Sequence, residues 1–181
     1  MGKLIFGMNL SLDGYVDGVD GKLDMPPGTP ELFDYWIEHV RSVSGSFYGR
    51  RMYETMRYWD TEDSDWTPQR QAFGEAWRAL PKWVVSSTLA AVGPNATLLS
   101  GDVETQVRDI KARTEGTLTV SGPQLAGQMT RWGLVDEYHM YLRPFVLGQG
   151  KAFFHEARPP LRLISSAPID AETVHLAYVS A

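Results

Sequence analysis

LTVSGPQLAGQMTRWG, residues Leu118 to Gly133, joins a strand, a turn and a helix in one short stretch. Leu118, Thr119 and Val120 are apolar and β-branched, the pattern of a short buried strand. Ser121, Gly122 and Pro123 break that pattern, and Pro123 stands at the first helical position, where its missing N–H costs nothing. Leu125, Ala126, Met129 and Trp132 then form one apolar stripe, and Gly133 is placed to end the helix in the left-handed conformation. A strand that ends in glycine and feeds a helix turns unpaired N–H groups and a positive dipole end outward. That is a cradle for an anion such as a nucleotide phosphate. An ordinary strand–turn–helix joint has the same pattern, so the rest of the chain has to decide.

Outward from this stretch the chain alternates strand and helix. Lys3 to Asn9 (KLIFGMN) is nearly continuous in apolar residues, as in a central strand covered on both faces. Asp13 to Pro30 carries three Asp-Gly turn signals and reads as a long functional loop. Leu32, Phe33, Trp36, Ile37 and Val40 lie on one helical face, Ser46 to Gly49 is a short strand, and Arg50 to Thr55 starts another helix. Thr67 caps a helix with Pro68 at its first position and Phe73, Ala76, Trp77 and Leu80 as its stripe. Lys82 to Ser86 and Thr97 to Leu99 are strands, and Asp102 caps a helix carrying Val103, Val107 and Ile110. Tyr138 to Arg143, Arg162 to Ala167 and Thr173 to Val179 close the chain as strands without helices between them. This order predicts one domain over residues 1–181, an α/β sheet parallel for most of its length with antiparallel strands at the C-terminal end.

Composition narrows the function. The chain has 181 residues and a formal net charge of -5, so overall charge gives nucleic acid no support as a partner. It has no cysteine, which removes disulfides, thiolate metal sites and cysteine nucleophiles and suits a reducing cytoplasm. No apolar run reaches the roughly 20 residues of a membrane span, and the N-terminal apolar patch is too short for a signal peptide. The Asp13–Pro30 loop fails EF-hand spacing. His39, His139, His155 and His175 lack paired ligand spacing, so no metal is expected. No G-x-G-x-x-G, P-loop or G-x-S-x-G elbow is found.

Three polar clusters stand just past expected strand ends. Gly49-Arg50-Arg51 sets two cations at a helix start, where the dipole is already positive, and an anion there would relieve the repulsion. Ser86-Ser87-Thr88 offers hydroxyls, and Ser121-Gly122-Pro123 leads into the helix described above. Strand ends of one sheet converge on one edge, where open α/β folds bind ligands. Read singly these are a solvated pair, a loop and a joint; read together they describe a site for a multiply phosphorylated ligand.

With NLSLDGYV (Asn9 to Val16), YGRRMYETM (Tyr48 to Met56), PKWVVSSTL (Pro81 to Leu89), VSGPQL (Val120 to Leu125), GLVDEYHMYLRPFVLGQGKAFF (Gly133 to Phe154) and a closing VHLAYV, the chain resembles the dihydrofolate-reductase-like superfamily. The resemblance is to the branch holding the reductase domain of riboflavin biosynthesis, and it spans nearly the whole length. It implies a three-layer α/β/α domain with a mixed sheet that binds NADPH along the strand ends. By that resemblance Gly49, Arg50 and Arg51 hold the pyrophosphate and 2′-phosphate, Ser86, Ser87 and Thr88 lie by the adenosine ribose phosphate, and Gly122, Pro123, Gln124 and Leu125 cradle the pyrophosphate. Paired arginines favour NADPH over NADH. A homodimer is a further implication.

Departures from the family pattern bear on substrate. Gly122-Pro123 stands where the family has Gly-Gly, a bond that is cis in dihydrofolate reductases; proline lowers the cis penalty to about 0.5–1 kcal/mol, so a cis Gly122–Pro123 bond is expected. Riboflavin-pathway reductases carry a lysine in the first strand and a glutamate before the glycine pair, and here Gly7 and Ser121 stand there. Leu32 falls nearest the place of the pterin-facing acid. Neither a ribityl-phosphate pyrimidine nor folate is therefore the expected substrate. The expectation is a cytoplasmic NADPH-dependent reductase of another small molecule. Its substrate pocket is drawn among Asp24, Met25, Tyr35, Tyr53 and Trp59, with Asp34, Tyr53 and water as open candidates for proton donor. The alternative is an inactive NADP(H)-binding regulatory or assembly module.

Overall fold

The computed structural model describes residues 1–19, 21 and 25–181. Among these residues eight strands form one sheet in the order β5-β4-β3-β6-β1-β7-β10-β9. The strands are β1 (Lys3–Ser11), β3 (Gly45–Gly49), β4 (Lys82–Val85), β5 (Ala96–Leu99), β6 (Thr117–Ser121), β7 (Glu137–Arg143), β9 (Leu161–Pro168) and β10 (Val174–Ser180). β1 lies between β6 and β7, parallel to both. That is the central, doubly covered place its apolar run predicts. From β5 to β7 all pairings are parallel; β10 runs antiparallel to β7 and β9 antiparallel to β10.

Two helical layers cover the sheet. On one face Leu4, Phe6, Leu10, Phe47, Leu118, Val120 and Tyr138 meet Val107 and Ile110 of α4 (Val103–Arg113) and Leu125, Ala126 and Met129 of α5 (Pro123–Arg131). On the other, Tyr48 and Val84 meet Ile37 of α1 (Pro30–Ser42), Tyr53 of α2 (Arg50–Met56), and Phe73 and Trp77 of α3 (Pro68–Ala79). The fold is thus the three-layer α/β/α arrangement with a mixed, mostly parallel sheet.

The helix ends follow from their residues. Thr29, Thr67 and Asp102 cap α1, α3 and α4, accepting from the backbone N–H of Leu32, Arg70 and Thr105. α5 stops in a Schellman motif: Gly133, at φ +67°, donates to Thr130 O at 2.9 Å, and Leu134 N donates to Met129 O at 3.0 Å.

Two expectations are corrected. No cis peptide bond occurs among the described residues, so Gly122–Pro123 is trans. Gly122 makes the reversal from β6 into α5 by itself, with φ 106° and ψ 122°, a conformation open to glycine because it has no Cβ. The Asp13–Pro30 segment is also not loop throughout. Tyr15–Asp17 is a strand, β2, paired antiparallel with β8 (Lys151–Ala152) in a separate ribbon. That ribbon is tight: a Cβ on Gly150 would lie 2.1 Å from Asp17 O.

Candidate functional site

The strand order reverses between β3 and β6. The crossover after β3 leads outward to β4, whereas the one after β6 passes over β1 to β7. A crevice opens at such a switch point, outside the carboxyl ends of the strands. Gly49 pairs with Val85 and Tyr48 with Ser121, so the loops after β3, β4 and β6 leave the sheet side by side. Arg50, Arg51, the Ser86–Thr88 loop and the turn at Gly122 therefore share one rim.

A cleft of about 300 Å³ lies at this place, and its lining includes Gly49, Arg50, Arg51, Gly122, Pro123, Gln124 and Leu125. Arg50 ties α2 to the loop after β4: Nε donates to Glu54 Oε1 of the same helix at 2.8 Å and Nη1 to Thr88 Oγ1 at 2.8 Å. Ser86 Oγ holds the next turn by accepting from the N–H groups of Thr88 and Leu89, and Ser87 stays exposed. Arg51 is exposed and has no ion-pair partner among the described residues. The first N–H groups of α5 have no acceptor within the helix.

The sequence did not single out the remaining wall. Met8 and Val16 supply apolar surface, and Asp17 and Lys151 face each other at 3.3 Å across the β2–β8 ribbon. Asp17 looked like one more acid in a turn-rich loop, and only the pairing with β8 gives it a place. A larger cavity of about 650 Å³ opens near the start of β7, at the opposite edge of the sheet from these loops. Its charged lining is partly spent in the Arg131–Glu156 ion pair, and no strand of the switch point ends there.

The expected substrate residues are not gathered at the cleft. Tyr53 is 1% exposed, and its hydroxyl accepts from Gly93 N at 2.7 Å, which makes it a core residue tying α2 to the segment after β4. Trp59 packs on Phe33, Tyr58, Trp66 and Phe73. Asp34 is exposed and accepts from Gln69 Nε2 at 2.7 Å, facing α3. Each is held by packing or hydrogen bonding between helical segments, and none of the three lines the cleft. Met25 is half-buried just before α1, and Asp24 lies outside the described residues.

Tyr35 belongs to a different group, on the α1 side of β1, β7 and β10. Its hydroxyl lies 2.9 Å from that of Tyr141, which packs against Trp36 and stacks on His175 with ring centres 4.6 Å apart. Gly7 makes room here, because a Cβ there would come within 3.4 Å of the Tyr141 ring. Burial, with His139 and His175 adding repulsion, pushes His39 down to about 4. Burial, with His139 adding repulsion, does the same to His175. His139 is lowered by burial although Glu137 opposes the shift, and burial followed by Tyr35 raises Tyr141. At neutral pH this tier is uncharged and aromatic.

A sheet of this order, with helices on both faces and a cleft at its switch point, is a dihydrofolate-reductase-like domain. Residues 2–175 match the RibD C-terminal domain family, and the chain belongs to that family. It is 21% identical over 182 residues to the Bacillus subtilis protein called uncharacterized protein YyaP, covering 97% of this chain and 94% of that one. A solved structure of a protein assigned to riboflavin biosynthesis in Shewanella sp. PV-4 superposes with a TM-score of 0.73 at 23% identity, covering 100% and 99% of the two chains. Acinetobacter baumannii RibD gives 0.70 at 15% identity over 100% of this chain and 58% of that one. Enterococcus faecalis dihydrofolate reductase, solved with NADP(H), gives 0.66 at 15% identity over 98% and 96%. No helix among the described residues is long and apolar enough to cross a membrane.

Proposed function

We propose that the protein is an NADPH-dependent reductase of a small molecule. The observation that carries this is the convergence of Arg50, Arg51 and the start of α5 on one cleft at the switch point. Two guanidiniums and unpaired helix N–H groups suit a pyrophosphate and a third phosphate. The Enterococcus faecalis enzyme of the same fold was solved with NADP(H), which supports this choice of cofactor.

In this reading Arg50, braced by Thr88 and Glu54, holds the 2′-phosphate. Arg51 and residues Gly122 to Leu125 hold the pyrophosphate, and Met8 and Val16 exclude water from the inner end. NADPH, when bound, supplies the hydride; the chain positions the acceptor and sets the electrostatics.

Calorimetry with NADPH and NADH tests the assignment. Arg50→Ala is expected to weaken NADPH by about 1.5–3 kcal/mol, the scale of a hydrogen bond to a charged group, and NADH far less. Equal losses for both cofactors refute the 2′-phosphate role, and absence of binding by either refutes the reading. A second reading, an NADP(H)-binding module without turnover, is favoured by Tyr53 and Asp34 being held by Gly93 and Gln69. Binding without NADPH oxidation across pterins, flavins, quinones and aldehydes would select it.

A further inference from the structure

β9 stands apart from the layered body of the molecule. Of its eight residues only Leu161 is even half-buried, so both faces of the strand lie in solvent. It is also the last strand of the sheet, with β10 on one side and an open edge on the other. Leu163 is 49% exposed, Ile164 44% and, on the adjoining β10, Val174 42%. Arg162 is the one charged residue of the strand. A long edge strand with apolar side chains exposed at its middle and no charge there is a template for association, and proteins leave one uncovered only where a partner covers it. Pro168, which has no N–H, and the bulge at Ile164 interrupt the outer hydrogen-bonding row, but neither hides Leu163 or Ile164.

Charge says what that partner is. Arg158 and Arg162, both exposed, stand at the start of β9, while the turn at its far end holds Asp170 and Glu172. Asp170 is committed to Thr29 and to the N–H groups of Glu172 and Thr173, and Glu156, upstream of Arg158, pairs with Arg131. Glu172 is exposed at the turn, where a neighbouring molecule can reach it. Basic at one end and acidic at the other, the hairpin is complementary to itself when two copies run antiparallel, as a two-fold axis crossing the strand makes them. The midpoint of β9 falls between Ile164 and Ser165. An axis there gathers Leu163 and Ile164 of both copies at the centre, with the charged groups at the rim.

We propose that a second copy of this chain covers the strand, in a two-fold dimer with the two β9 strands antiparallel and side by side. Leu163 and Ile164 pack across the axis, and Arg162, with Arg158 beyond it, faces the Glu172 turn of the other copy. The contact is chiefly one of side chains, because the bulge and Pro168 leave room for only a short ladder between the strands. β1, β7 and β10 stand between β9 and the switch point, so the cleft stays open in both copies. The dimer is therefore independent of the reductase reading.

Sedimentation velocity of the whole chain at micromolar concentration is the test. Wild type is expected at twice the 20.3 kDa chain mass, and the double variant Leu163→Lys, Ile164→Lys at the chain mass with unchanged circular dichroism. Arg162→Glu and Glu172→Arg are each expected to weaken the dimer about tenfold, since every change acts twice across the axis, and the two together to restore most of it. The chain has no cysteine, so Ser165→Cys is expected to give a disulfide-linked dimer on mild oxidation, and Thr97→Cys, on the opposite edge strand β5, is not. A monomeric wild type, a dimer that survives the double lysine variant, swapped charges without recovery, or cross-linking through Thr97→Cys but not Ser165→Cys overturns the proposal, whether another protein or nothing covers the strand. If the lysine variant fails to fold, the charge swap and the cross-link decide. NADPH titration is expected to be the same in wild type and variants, and a dimer that ignores NADPH refutes the cofactor reading alone.

Discussion

Acid should destabilise this protein well before its carboxylates protonate. His39 and His175 are held down to about 4, against an ordinary value near 6.5, because burial disfavours their charged forms. Between those values the unfolded chain binds more protons than the native one, so stability rises with pH across the window and falls on acidification. Integrating from about pH 7 to about pH 5 gives a loss of about 2 kcal/mol for each histidine, and about 4 kcal/mol for both if they titrate independently. That is a large share of the roughly 5–15 kcal/mol that holds a domain of this size. Urea unfolding followed by tryptophan fluorescence at both pH values measures it, with the double variant His39→Gln, His175→Gln as reference. The variant should keep most of its stability at the lower pH. An identical loss in wild type and variant would show that these imidazoles are not buried neutral and would refute the reasoning.

Gly127→Ala places a Cβ 2.1 Å from His155 O, so α5 must shift away from the segment after β8. Overpacking of this kind costs about 1–3 kcal/mol against a helix-propensity gain of about 1 kcal/mol. Calorimetric melting should show a net loss, and calorimetric titration weaker NADPH binding, since the phosphate cradle moves with the helix. Tyr53→Phe leaves Gly93 N–H without its acceptor and should lower stability by about 1–3 kcal/mol in urea titration; NADPH affinity should not change, because Tyr53 is core.

Much of the architecture was legible because it is written locally. The apolar run Lys3–Asn9 marked the strand with neighbours on both sides, and Thr67, Asp102 and Gly133 marked helix ends by their own hydrogen-bonding chemistry. The rim was legible too, because parallel strand ends converge whatever their side chains are. What escaped depends on distant partners. β2 is three residues long and exists through its pairing with β8, far along the chain. Tyr53 and Trp59 looked like pocket residues because an aromatic in a core and one lining a pocket share the same local pattern. Arg143 falls in step with the alternation of its strand, and nothing around it in the sequence announces its bonds to the Pro26 and Pro27 carbonyls. Gly122 resolved its own turn, so the proline after it needed no cis bond.

The place of β1 sets when folding can finish. It is made long before its partners, which are β6, where Phe6 meets Val120, and β7, where Met8 meets Met140. Until β6 has been translated, that apolar ribbon lacks its sheet neighbours and must be shielded by local collapse or by chaperones. Completion of the sheet is a late event in biosynthesis, and a truncated chain ending before β6 would present its would-be centre to the solvent.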